Sequence, residues 1–145
     1  MPRPFLALAL VAASLLVAGF AAGLAGSASG GRLGAAGTVA TLAVHGSVWA
    51  YLRATGRRVE GLARAAGMPG WVGAQAEKNR RKAFASGAIG VPLALLAGWS
   101  GAEGWRLSLG SANLAFQLGA FVGESAMMMA QARLNRDVGA WVASA

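Results

Sequence analysis

Residues 4–26 read PFLALALVAASLLVAGFAAGLAG, and no residue in this stretch is charged. A helix needs roughly 20 residues to cross the hydrocarbon core of a bilayer, and this segment is long enough. A segment surrounded by lipid must satisfy its own backbone hydrogen bonds, which favours an α-helix. The stretch therefore predicts a membrane-spanning helix.

The same segment also resembles a cleavable secretory signal. Arg3 precedes an apolar run from Phe5 to Phe20, and small residues follow at 27–29. The core of a signal peptide is usually about 7–15 residues long, and this apolar run extends further. We therefore expect the helix to be retained, while cleavage would leave three helices in the same orientation.

Three further stretches are almost free of charge, at residues 33–52, 83–102 and 107–132. The composition agrees with burial in lipid, because 56% of the 145 residues are hydrophobic and only 12% are charged. We predict an all-α membrane protein, with residues 1–145 forming one transmembrane domain. The spans, at about 4–26, 33–52, 83–102 and 107–132, form a four-helix bundle.

The basic residues indicate the orientation of the bundle. Between spans 2 and 3 the segment 53–82 contains only two acidic residues and eight basic ones, namely Arg53, Arg57, Arg58, Arg64, Lys78, Arg80, Arg81 and Lys82. The positive-inside rule assigns such a connection to the cytoplasm. Arg3, Arg133 and Arg136 then lie on the same side, which places both termini in the cytoplasm and the protein in a plasma or inner membrane.

The segment 53–82 also has an internal pattern. A helix over 53–66 that can continue the second span, a break at 67–70 and a short helix over 71–82 that runs into the third span predict a basic helix-turn-helix arm near the membrane surface. We expect its eight basic side chains to contact anionic lipid headgroups or to dock a partner protein. Nucleic acid is not expected as a partner, because no nucleic-acid-binding fold or interleaved aromatic pattern is present.

Two ionisable residues lie within the predicted spans, His45 and Glu124. The residues expected to share their inward faces are Thr38, Thr41 and Trp49 for His45, and Asn113, Gln117, Met128 and Gln131 for Glu124. His45 precedes Arg53 by eight positions and Glu124 precedes Arg133 by nine. At about 1.5 Å per residue both lie roughly 12–14 Å from the cytoplasmic edge, so they could pair, with Thr41, Asn113 and Gln117 completing a polar network.

Three roles are open for this pair. It could fix the register of the helices, relay a proton or cation, or contribute to a site for haem, quinone or another polar headgroup, with His45 as a haem-ligand candidate. Gly19 and Gly23, and again Gly119 and Gly123, have the spacing of close helix contacts, within the bundle or with a partner.

The residues that several kinds of enzymatic catalysis require are absent from the sequence. The chain has no cysteine and one histidine, and it has no phosphate-binding glycine loop. We therefore expect no metal site and no catalytic residues. The leading hypothesis is a non-catalytic accessory or structural subunit of a larger membrane complex, associated with lipids and with other subunits or copies of itself. The alternatives are a proton-coupled carrier or channel-like protein using Glu124 and His45, and a haem or quinone anchor of a respiratory-type complex.

Overall fold

A computed structural model describes residues 3–99 and 108–144, and within them the chain is entirely α-helical apart from short turns. The helices are α1 (Arg3–Leu24), α2 (Ser29–Ala65), α3 (Trp71–Trp99) and α4 (Ser108–Ser144). The prediction of an all-α protein with four helices is confirmed for these residues.

Length and apolar composition alone would allow two of these helices to cross a membrane. They are α1, over Phe5–Leu24, and α2. Among the described residues α3 and α4 do not meet the same criterion, so this test leaves the predicted four spans unestablished. The end of the predicted span 83–102 and the start of the span 107–132 lie outside the described residues.

The basic segment 53–82 contains the two helical parts and the break between them that the sequence predicts. Helix α2 continues without a break to Ala65, and α3 begins at Trp71 and runs on into its apolar half. A second hydrophobic cluster joins the two helices to the end of α4 through Val59, Val72 and Val138, each at most 1% exposed. These apolar residues, at helical spacing on each helix, pack the two helices and the end of α4 together beyond residue 53.

Glycines in the left-handed backbone region end α1 and α2. Gly26 has φ 70° and Gly67 has φ 61°, a conformation that costs glycine little. The backbone N–H of Ser27 donates to the carbonyl of Ala22 at 2.9 Å, and that of Met68 donates to Ala63 at 2.9 Å. These six-to-one bonds are typical of the Schellman motif, which satisfies carbonyls at a helix end and reverses the chain.

Helices α1 and α2 approach each other through glycines. A Cβ atom on Gly19 would lie 2.8 Å from the backbone nitrogen of Gly34, and one on Gly30 would lie 2.7 Å from that of Gly23. No side chain larger than hydrogen fits at this separation. The glycine spacing in the first segment is therefore used inside the bundle, between α1 and α2.

The interior of the bundle is unusually polar and the outside unusually apolar. The main core contains Leu16, Val44, Val48, Leu52, Phe121 and Met128. The same interior buries the polar side chains of Thr38, Thr41, His45, Asn79, Asn113, Gln117, Glu124 and Gln131. Each helix meanwhile exposes a large apolar residue, with Leu10 at 61%, Val39 at 67%, Ile89 at 59% and Val122 at 73%.

Candidate functional site

His45 lies between two acceptors on α4. Its Nδ1 is 2.6 Å from Oε1 of Glu124, and its Nε2 is 2.9 Å from Oε1 of Gln117. The side chains of His45 and Glu124 are 3% and 1% exposed. The two ionisable residues at matched depth are thus in direct contact in the centre of the bundle.

The orientation of the Gln117 amide is fixed by its other neighbours. Its Nε2 donates to the backbone carbonyl of Gly90 at 2.8 Å and to Oδ1 of Asn113 at 3.1 Å. A flipped amide would set its oxygen against the carbonyl of Gly90, which has no hydrogen to donate. The oxygen of Gln117 therefore faces His45, and Nε2 of His45 must carry a hydrogen.

The hydrogen on Nε2 limits the possible positions of the proton between His45 and Glu124. With Nε2 protonated, Nδ1 either donates to a carboxylate or accepts from a carboxylic acid. The two forms are an imidazolium–carboxylate pair and a neutral pair, and they differ only in the position of one proton along a 2.6 Å line. A neutral imidazole facing an ionised Glu124 is unfavourable, because the lone pair of Nδ1 would then face a lone pair of the carboxylate oxygen.

Gly90 on α3 provides the space for the imidazole. A Cβ atom on Gly90 would lie 2.7 Å from Nε2 of His45 and 3.1 Å from Cε1 of Phe116. The ring of Phe121 covers the imidazole from another side, with ring centroids 6.0 Å apart. Gly90 was not predicted as part of this site, because nothing in the sequence distinguishes it from the other glycines of the chain.

Two residues predicted for this site are placed differently. Thr41 is fully buried, but its Oγ1 has no hydrogen-bond partner, so it does not join the network. Trp49 is 41% exposed and its ring lies 4.9 Å from the guanidinium carbon of Arg53. At this level Val48 and Leu52 occupy the inward face of α2, and consecutive helical residues point about 100° apart, so Trp49 faces outward.

A second buried polar contact lies further along the bundle. Nδ2 of Asn79 donates to Oε1 of Gln131 at 3.0 Å, and Nε2 of Gln75 donates to Oδ1 of Asn79 at 3.3 Å. Asn79 was not predicted as a buried residue, because it lies among charged residues in the sequence. Its spacing from Val72, Ala76 and Ala83, which are also buried, was the available signal.

The eight predicted basic residues fall into two groups. Arg53, Arg57, Arg80 and Arg81 line one cleft of about 380 Å³ together with Trp49 and Phe84, whereas Arg58, Arg64, Lys78 and Lys82 are exposed elsewhere. Glu77 forms ion pairs with Arg80 and Arg81. The hydrogen bond from Arg81 and the charges of both arginines hold the pKa of Glu77 below its ordinary value.

A second cleft of about 450 Å³ continues between α2 and α3 from the same two aromatic residues. Its lining consists of Leu42, His45, Gly46, Trp49, Ala83, Phe84, Gly87, Ala88, Val91 and Pro92. His45 is the one polar side chain among these residues, and both of its ring nitrogens are already engaged. The cleft is therefore apolar in character.

No group of three or more His, Cys, Asp or Glu side chains within residues 3–99 and 108–144 is placed to hold a metal ion. Comparisons with family models, with curated proteins and with solved structures found no match to this chain.

Proposed function

We propose that this protein is a four-span membrane protein with both termini in the cytoplasm, acting as a non-catalytic accessory or structural subunit of a larger membrane complex. The observation that carries the proposal is the inverted distribution of side chains: Thr41, Gln117 and Glu124 are buried while Leu10, Ile89 and Val122 face outward. A water-soluble bundle of this size would expose a large apolar surface in that arrangement. In lipid the same arrangement is stable, because polar groups pair inside and apolar groups meet acyl chains.

The dimensions of the helices support the same reading. A helix of 37 residues, the length of α2 and of α4, is about 55 Å long, against a hydrocarbon core of about 30 Å. Both helices therefore extend beyond one side of the bilayer. The basic three-helix end lies there, which fits a cytoplasmic location under the positive-inside rule.

Two features support an accessory role. Both ring nitrogens of His45 are engaged by side chains of α4, Glu124 and Gln117, which suits a contact that fixes helix register. The outer face of α4 meanwhile presents Gly119 and Gly123 beside the 73% exposed Val122. A Cβ on either glycine would meet nothing within 4 Å, so this glycine pair is free to receive another helix.

Native mass spectrometry of the protein extracted from its own membrane in mild detergent tests this role. We expect the wild type to carry a second protein or a second copy, and the double variant Gly119→Leu, Gly123→Leu to lose it while remaining folded. Ala36→Leu, at an exposed position on α2, is the matched control and should retain the partner. A wild-type protein found only as a single chain would remove the accessory role.

A proton-coupled carrier is the second candidate, because some buried polar atoms lack partners. Oε2 of Glu124 and Oγ1 of Thr41 have no hydrogen-bond partner, and they lie in the same interior as the proton shared by His45 and Glu124. A carrier would move protons into vesicles containing a pH-sensitive dye, and Glu124→Gln would abolish that movement. Purified protein that conducts no more than empty vesicles would exclude this candidate.

A haem or quinone anchor is the third candidate, and the geometry favours it least. Axial ligation requires a free nitrogen lone pair, whereas Nε2 of His45 donates to Gln117 and Nδ1 faces Glu124. Ligation would require one of these contacts to break. An optical spectrum of the protein purified from its own membrane decides this, since bound haem gives a Soret band.

A further inference from the structure

We infer that the groove between α2 and α3 is a site for one anionic phospholipid, whose phosphate lies among Arg53, Arg57, Arg80 and Arg81 and whose acyl chain lies along Gly46 and Gly87 toward His45. The inference rests on the membrane-spanning arrangement proposed above. It goes beyond a general attraction of basic residues to headgroups, because it assigns one site and one ligand chemistry.

The two clefts form one continuous groove. Trp49 and Phe84 line both of them, so the basic cleft of about 380 Å³ and the apolar cleft of about 450 Å³ meet at this aromatic pair. The lining residues of α2 at 42, 46, 49, 53 and 57 recur at spacings of three or four and therefore form one stripe. On α3, which runs antiparallel, the stripe begins at Arg80 and ends at Pro92.

The groove has the polarity of a phospholipid. Four arginines and the nearby Glu77 give its basic end a net charge of about +3, which is complementary to a phosphodiester. Ion pairs with Glu77 position Arg80 and Arg81, and stacking on Trp49 positions Arg53, so three of the four guanidinium groups are held in place before a ligand arrives. Arginine is well suited to bind phosphate in a bidentate manner.

The apolar end is open at the positions where an acyl chain would lie. A Cβ atom added to Gly46 or Gly87 would meet nothing within 4 Å, which shows that the bundle leaves this space unfilled. From Trp49 to Leu42 the cleft extends about 10 Å along α2, at 1.5 Å per residue. That distance lies within one leaflet, whose hydrocarbon layer is about 15 Å thick, half of the core.

The depth of the aromatic pair agrees with this placement. Trp49 and Phe84 are 41% and 64% exposed and stand between the arginines and the small residues. Tryptophan concentrates at the boundary between headgroups and acyl chains, so the pair would stand where the polar part of the lipid gives way to the apolar part.

Titration of delipidated protein in detergent with phosphatidylglycerol or phosphatidylcholine, read by native mass spectrometry, tests the site. We expect one tightly held phosphatidylglycerol, favoured over phosphatidylcholine by about tenfold, since each basic residue near the surface attracts anionic lipid appreciably. Arg53→Gln, Arg57→Gln should lower that affinity by about tenfold or more on the same basis. Arg58→Gln, Arg64→Gln removes the same two charges from α2 outside the cleft, and it should change the affinity by less than about twofold.

The acyl end is tested with Gly87→Leu, which places a side chain in the open space of the cleft without displacing the fold. We expect it to lose the bound phosphatidylglycerol, whereas Ala36→Leu retains it. A benzoylphenylalanine at Ala88, which lines the cleft, should crosslink to lipid when the protein is held in vesicles of both lipids. A crosslink to another protein chain would instead make the groove a protein interface and overturn the proposal.

Other outcomes would also overturn it. An equal loss of phosphatidylglycerol affinity in the two double arginine variants would show a diffuse attraction of lipid to basic residues. Unchanged lipid binding by Gly87→Leu would show that no acyl chain lies in the groove. These readouts measure lipid mass on the chain, whereas the accessory role is read from protein mass. The lipid site can therefore fail while the accessory role stands, and the reverse.

Discussion

Replacing His45 by alanine and Glu124 by glutamine, separately and together, tests whether the two side chains stabilise the bundle as a coupled pair. His45→Ala removes both ring hydrogen bonds, at 2.6 and 2.9 Å, and leaves the side chains of Glu124 and Gln117 without their partner. Each buried group left unsatisfied costs about 1–3 kcal/mol, so we expect a loss of about 3–5 kcal/mol in the free energy of unfolding.

Glu124→Gln is the milder change, because the N–H of a glutamine can donate to Nδ1 of the neutral imidazole. It removes the charge and keeps the shape, for an expected cost of about 1 kcal/mol. In the double variant neither original side chain is left behind without its partner. The loss in the free energy of unfolding should therefore be smaller than the sum of the losses in the two single variants. The expected coupling is on the order of 1 kcal/mol, since interhelical polar contacts in membranes average about 0.6 and reach about 1.7 kcal/mol.

The assay is unfolding in detergent by heat and by added dodecyl sulfate, followed by tryptophan fluorescence. The matched control combines His45→Ala with Asn79→Ala, which belongs to the separate contact with Gln131. Residues without shared partners add within about 0.3–0.5 kcal/mol. Strict additivity for His45 with Glu124, or equal coupling in the control, would refute the argument from the pair.

The remaining predictions concern the space around His45 and the path of the chain. Gly90→Ala should destabilise the bundle by about 1–3 kcal/mol, because its Cβ would lie 2.7 Å from Nε2 of His45, and the cost should shrink in the His45→Ala background. Gly87→Ala, with nothing within 4 Å, is the control and should be nearly neutral by the same unfolding measurement. Topology reporters at Gly67 and after Ala145 should read cytoplasmic, while one inserted at 27–31 should read external; an external signal at Gly67 contradicts the proposed orientation. Sequencing the amino terminus of the membrane-extracted protein should give a start at or near Met1, and a start near Gly30 would establish a cleaved signal.

Periodicity and charge were sufficient to predict the helices. Long uncharged stretches allow few structures other than a helix, and Gly67 with Pro69 marked the turn between α2 and α3. The continuation of α2 beyond residue 53 was predicted, but its packing with the end of α4 was not, because the stripe of Val59, Val72 and Val138 is thin and lies among arginines. Charged residues dominate the composition there, whereas a few small apolar residues decide the packing.

The central contact could be reasoned about from depth alone, since a fixed rise per residue places His45 and Glu124 at one level. Depth says nothing about rotation: Trp49 lines the cleft beside His45, as its spacing predicted, but it is 41% exposed and does not point into the interior. Gly90 and Asn79 depend on how three helices meet, and their positions become informative only once the crossing of α3 with α2 and α4 is known. A histidine needs a gap in the facing helix, but 22 glycines offer too many candidates for that gap.

The buried polar side chains divide the bundle into two differently stabilised parts. Among the described residues α1 buries only apolar side chains and glycines, including Phe5, Leu16 and Gly19, whereas α2, α3 and α4 share the contacts of His45, Gln117 and Asn79. In the membrane arrangement proposed above, the hydrophobic effect does not hold helices together, so close packing and interhelical hydrogen bonds must do so. Helix α1 depends on close packing, through its glycine contact with α2. The other three helices are also joined by interhelical hydrogen bonds. Loss of α1 would remove none of the hydrogen-bonding partners of His45, but it would expose the glycine face of α2 at Gly30 and Gly34 and the core residues that pack against Leu16.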